Sequence, residues 1–68
     1  MTEKQITSLR WYATHGVNNG RGRLTAESKA LLRLGYLNYT ATSYYCWALT
    51  LSRAGRAALA QMEAVHAS

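Results

Sequence analysis

The chain has 68 residues, 49% of them hydrophobic, and carries eight Lys or Arg against three Glu, a formal charge of +5. That size and apolar fraction fit one folded domain over residues 1–68 and exclude a disordered tail, since a second core would need at least about 40 to 50 residues of its own. The lone Cys46 excludes an internal disulfide, and with no apolar run near membrane-span length and no signal peptide, a cytoplasmic protein without a membrane partner is expected.

The basic excess is uneven. Between Arg10 and Arg56 the one acid is Glu27, set against Arg10, Arg21, Arg23, Lys29, Arg33, Arg53 and Arg56. Such a balance fits a polyanion, with nucleic acid ahead of an acidic protein surface. A core this small barely offsets its own conformational entropy, which leaves room for a homodimer.

Thr2 and Gln5 have the capping-box spacing, and a helix is predicted from Glu3 to about Thr14, stopped by Gly16. Ile6, Leu9, Tyr12 and Ala13 share one face of it. Trp11 falls on the far side beside Lys4 and His15, either as a second packing contact under the hairpin or as an exposed contact residue. Val17 to Arg23, VNNGRGR, reads as a loop because its Asn and Gly supply turn conformations. Its arginines and free amides can cradle a phosphate, though no P-loop Lys and hydroxyl are present. Thr25 caps a helix from Ala26 to Leu34, with Ala26, Ala30, Leu31 and Leu34 as its buried stripe. Lys29 and Arg33 project together, a like-charge pair costing about a few tenths of a kcal/mol unless it meets an anion.

Two strand-like runs follow, Tyr36 to Tyr39 and Tyr44 to Leu51, joined by Thr40-Ala41-Thr42-Ser43 as a hairpin loop. Ser52 then caps a last helix reaching about His66, with Ala54, Ala58, Met62 and Val65 inside.

The runs LLRLGYL and YYCWALTLSRAGRAAL resemble winged-helix domains of small prokaryotic and phage regulators. The shared features are a helix ending in Leu-x-x-x-Gly-aromatic-Leu, a β-hairpin wing, and a Leu-Ser/Thr-x-x-Gly-Arg-x-x-Leu start to a further helix, here Leu51, Ser52, Gly55, Arg56 and Leu59. The resemblance covers about half the chain. It implies an α+β, winged-helix-like domain in the order helix, short strand (Arg23-Leu24), helix, β-hairpin wing and C-terminal helix. The chain departs from the full pattern in having room for one helix, not two, between that strand and the wing. The resemblance also implies that Leu51 points inward; alternation then sends Leu49, Trp47 and Tyr45 inward with Tyr36, and leaves Leu37, Tyr39, Tyr44, Cys46 and Ala48 outward. So apolar an outward face would be covered by the first helix, form a homodimer or partner surface, or stack on bases.

Catalysis is not expected. Glu3, Glu27 and Glu63 lie on three separate helices, His15 and His66 are far apart, and no metal-ligand spacing occurs. No cofactor, metal or small-molecule substrate is therefore expected. The leading expectation is a basic, DNA-binding regulator of phage or prophage type. Arg21, Arg23, Lys29, Arg33, Arg53 and Arg56 would meet phosphates of duplex DNA, and Trp11, Leu37, Tyr39, Tyr44 and Cys46 would form a partner or dimer surface. The alternative is an inhibitor or adaptor of the anti-CRISPR or anti-restriction class that binds a host nucleic-acid machine.

Overall fold

In the computed structural model, residues 2–67 are described, with side chains over residues 2–65; the side chain of His66 lies outside them. Helix α1 (Glu3–His15) begins as the spacing predicts. The Thr2 hydroxyl accepts from the Gln5 N–H, while the Gln5 side chain accepts from the Thr2 N–H at 3.0 Å. Gly16 ends the helix at a φ of 88°, a left-handed value that favours glycine. Ile6, Leu9 and Tyr12 are buried, whereas Ala13, expected beside them, is exposed.

The segment expected as a loop is a strand. β1 (Val17–Arg21) pairs antiparallel with the central strand, β3 (Cys46–Leu51), from Val17↔Thr50 to Arg21↔Cys46. Its turn-forming composition is overridden by tertiary packing. The Trp47 ring lies across Gly20, where a Cβ would overlap it, and the Asn18 amide donates to the Tyr12 hydroxyl at 3.1 Å. Arg23 and Leu24, expected as the short strand, follow this one without belonging to it.

Helix α2 (Ala26–Arg33) is capped by Thr25, whose hydroxyl accepts from the Ser28 N–H. Of its predicted stripe only Leu31 is fully buried; Ala30 is half-buried, and Ala26 and Leu34 are exposed. Strand β2 (Leu37–Ser43) then pairs with β3, giving an antiparallel sheet in the order β1-β3-β2. Paired residues share a face of an antiparallel sheet, so Leu37, Tyr39 and Ala41 face the same side as Leu51, Leu49 and Trp47.

The hairpin therefore differs from the expected one. Its strands run on to Ser43↔Cys46, with an irregularity between Ala41 and Ser43, and the turn is the pair Tyr44-Tyr45. A hairpin closed by a loop at Thr40 to Ser43 would pair Tyr39 with Tyr44, Leu37 with Cys46 and Tyr36 with Trp47; the structure instead pairs Tyr39 with Leu49, Leu37 with Leu51 and Ala41 with Trp47.

Helix α3 (Arg53–Ala67) starts at a tight junction. The Ser52 hydroxyl donates to the Gly35 carbonyl at 2.7 Å and accepts from the Gly55 N–H at 3.0 Å, while the Ser52 N–H donates to the Tyr36 carbonyl at 3.0 Å. A Cβ at Gly55 would run into that Tyr36 carbonyl. The inward side of α3 carries Gly55, Leu59 and Met62 with Ala58; Ala54 and Val65, expected there, are exposed.

All three helices contribute to one core, made of Ile6, Leu9 and Tyr12 from α1, Leu31 from α2, Leu59 from α3, and Leu37, Trp47, Leu49 and Leu51 from the sheet. Among the described residues the fold is thus α+β, with three helices on one face of a three-stranded antiparallel sheet. No helix of the described residues is long and apolar enough to cross a membrane.

Candidate nucleic-acid interface

The two ends of the sheet carry different chemistry. β1 ends, β2 ends and β3 begins at the hairpin tip, whereas α2 ends and α3 begins at the other end. β3 spans roughly 17 Å between these ends, from five steps of about 3.4 Å between its six residues.

At the tip stand Tyr44 and Tyr45, 83% and 66% exposed, their ring centroids 4.2 Å apart. The Tyr44 hydroxyl donates to that of Tyr45 at 3.3 Å, long for an O–H···O bond and hence weak. That bond first, and desolvation second, raises the Tyr44 phenol above its ordinary pKa. Tyr45 has a φ of 61°, the one positive value at a non-glycine residue among the described residues. Two-residue turns give such positions to Gly or Asn, because a side chain there costs about 1 kcal/mol.

The loop after β1 is fastened to this tip. The Gly22 N–H donates to the Tyr45 carbonyl at 2.7 Å, and the Gly22 carbonyl accepts from Trp47 Nε1 at 3.0 Å. Arg21 and Arg23, on either side of Gly22, are both exposed. The outcome is a pair of exposed tyrosines beside a pair of exposed arginines.

The other expected cations are also exposed, but they do not all join the tip. Lys29 and Arg33 lie one turn apart on α2. Arg53 and Arg56 are in the first turn of α3, at the far end of the sheet, where the Ser52–Gly35 bond brings the end of α2 close. Arg10 is paired with Glu63 at 3.5 Å, tying α1 to α3.

The expected partner surface is dispersed. Leu37 is 5% exposed and belongs to the core, because the longer hairpin turns it toward the helices. Tyr39 faces the helix side yet remains half-exposed on an edge strand. Tyr44 is at the tip, and Cys46 is half-buried on the outward face with Ala48. Their outward neighbours are largely polar: Asn19 and Arg21 on β1, Thr50 on β3, Asn38 and Thr40 on β2. The outward face is thus less apolar than expected, and α1 packs on the opposite side. Trp11 is exposed, stacked on His15 at 4.3 Å and edge-on to Tyr12.

Sequence reasoning placed Tyr45 in the core and so missed half of the tip. Adjacent residues of a strand point to opposite faces, so the Tyr44-Tyr45 pair could not both be inward. That rule allows either residue out, and only the turn position puts both there.

Among the described residues no group of three or more His, Cys, Asp or Glu is placed to hold a metal ion. Compared with protein-family models, with curated proteins and with solved structures, the chain matches none.

Proposed function

We propose that this chain is a small, non-catalytic DNA-binding protein of winged-helix-like build, in which the hairpin acts as the wing. The carrying observation is the tip, where a tyrosine pair in a strained turn is hydrogen-bonded through Gly22 to a loop bearing Arg21 and Arg23. In this reading the arginines meet phosphates, and the tyrosines pack against sugar and base edges in the minor groove. The order helix, strand, helix, hairpin, helix is roughly that of the winged-helix resemblance; the phage or prophage type is proposed from that sequence resemblance alone. The short α2 takes the position of the recognition helix, offering Lys29 and Arg33 to the backbone.

Fluorescence anisotropy with a labelled duplex over a salt series tests this. If Arg21, Arg23, Lys29 and Arg33 each neutralise one phosphate, log affinity falls against log salt with a slope of about −3.6. Changing Arg21 and Arg23 together to Ala flattens that slope by about 1.8. No duplex binding, or a slope indifferent to Arg21 and Arg23, would sink the reading. Retention of a protein from nuclease-treated lysate, with no DNA affinity, would move the assignment to the inhibitor or adaptor class.

A further inference from the structure

Away from the tip, α1, β1 and the start of α2 enclose a cleft of about 160 Å³. Its floor is apolar, formed by Leu31 and the Tyr12 ring, and Trp11 stands at its rim. The polar residues that line it are Glu27, Asn18, Ser8, Thr25 and Ser28. The chain carries eight Lys or Arg, yet none of them lines this cleft, whereas Glu27, the one acid between Arg10 and Arg56, does.

Glu27 is held there by more than its own helix. The Ser8 hydroxyl, on α1, donates to Glu27 Oε1 at 3.0 Å. An ionised carboxylate has about four acceptor positions, so this bond orients the group and leaves acceptor capacity toward the cleft. On the other wall, the Asn18 amide donates to the Tyr12 hydroxyl at 3.1 Å, fixing both. Trp11 is likewise set in place by stacking on His15 and by its edge-on contact with Tyr12. A cavity of about 150 Å³ holds one benzene ring, which sets the size of an occupant.

From this we infer that the cleft binds a small organic cation, a primary ammonium carrying a single ring or an apolar body of that size. The ammonium donates to Glu27, and the ring lies over Leu31 and against Trp11 and Tyr12. Aromatic faces attract cations as well as apolar surface, so both halves of such a ligand are served. Phosphate-bearing ligands are disfavoured, because their charge would meet Glu27 with no cation in the lining to oppose it. The inference stands apart from the DNA-binding reading, since it uses none of the arginines at the tip.

Isothermal titration of the full chain with benzylamine, protonated at neutral pH, tests it, with benzyl alcohol as the uncharged isostere. A ligand of eight heavy atoms in an open cleft is expected to bind one-to-one with a dissociation constant of about 1 mM. Benzyl alcohol should bind about tenfold more weakly, the value of one charge-assisted hydrogen bond. Glu27→Gln keeps an oxygen to accept from Ser8, and it should weaken benzylamine about tenfold while leaving the alcohol unchanged. Trp11→Ala, at an exposed position, should weaken both ligands. Absence of saturable benzylamine binding, or equal affinity for amine and alcohol, overturns the proposal. If Glu27→Gln fails to fold, the amine-to-alcohol ratio in the unaltered protein decides alone.

Discussion

Two residues show how far single positions are determined by their neighbours. Gly20 lies on an edge strand, where a bare backbone is ordinarily a weakness, but the Trp47 ring occupies the space a side chain would need. Gly20→Ala therefore forces the indole away from β1, and overpacking of this kind costs about 1–3 kcal/mol. Urea unfolding should show a lower midpoint; a midpoint equal to that of the unaltered chain would contradict the described packing. Tyr45 is the opposite case, a bulky residue where Asn or Gly would be easier. Tyr45→Asn should leave the fold as stable, or up to about 1 kcal/mol more so. It should also weaken duplex binding, because the ring that packs in the minor groove is lost. A thermal melt and an anisotropy titration on one preparation check both halves; a large loss of stability would show that Tyr45 serves the fold instead.

Helices are more legible in this sequence than strands, for a physical reason. A helix announces its ends locally: Thr2 with Gln5, Thr25 with Ser28, and Gly16 all act within four residues of themselves. β1 has no such local sign. Asn18, Asn19 and Gly20 favour turns, and what makes them a strand is a partner about 30 residues away in β3, with Trp47 needing Gly20 beneath it. The hairpin turn is hidden for a related reason. The small polar run Thr40 to Ser43 resembles a loop more than Tyr44-Tyr45 does, so the expected turn fell too early and put Leu37 on the wrong face. The candidate site was partly legible. Arg21, Arg23 and the exposed Tyr44 follow from composition and charge, but their joining through Gly22 depends on the pairing of β1, which composition conceals.

Charge governs the molecule as a whole. Eight cations and three acids occupy a body of 45 × 19 × 16 Å, and among the described residues one ion pair, Arg10–Glu63, is formed. With side chains about half exposed, that pair contributes little. Repulsion among the remaining cations opposes folding, and salt screens it over a Debye length of about 10 Å at 0.1 M. Added potassium chloride should therefore raise the melting temperature, by the equivalent of about 0.5 kcal/mol, over the same range in which it weakens DNA binding. Thermal melts across a salt series check the first half. A melting temperature that falls with moderate salt would mean that attraction, not repulsion, dominates the charges of the free protein.

Gly22 gives the arrangement a thermodynamic meaning. Its N–H is bound to Tyr45 and its carbonyl to the Trp47 indole, so the residue between the two arginines has both backbone polar groups engaged before any ligand arrives. Holding one residue's backbone in a single conformation costs about 1–2 kcal/mol. Here that cost is met during folding, by the same contacts that seat Trp47 in the core. An encounter with a polyanion then has mainly the arginine side chains left to order, and more of the attraction remains as affinity.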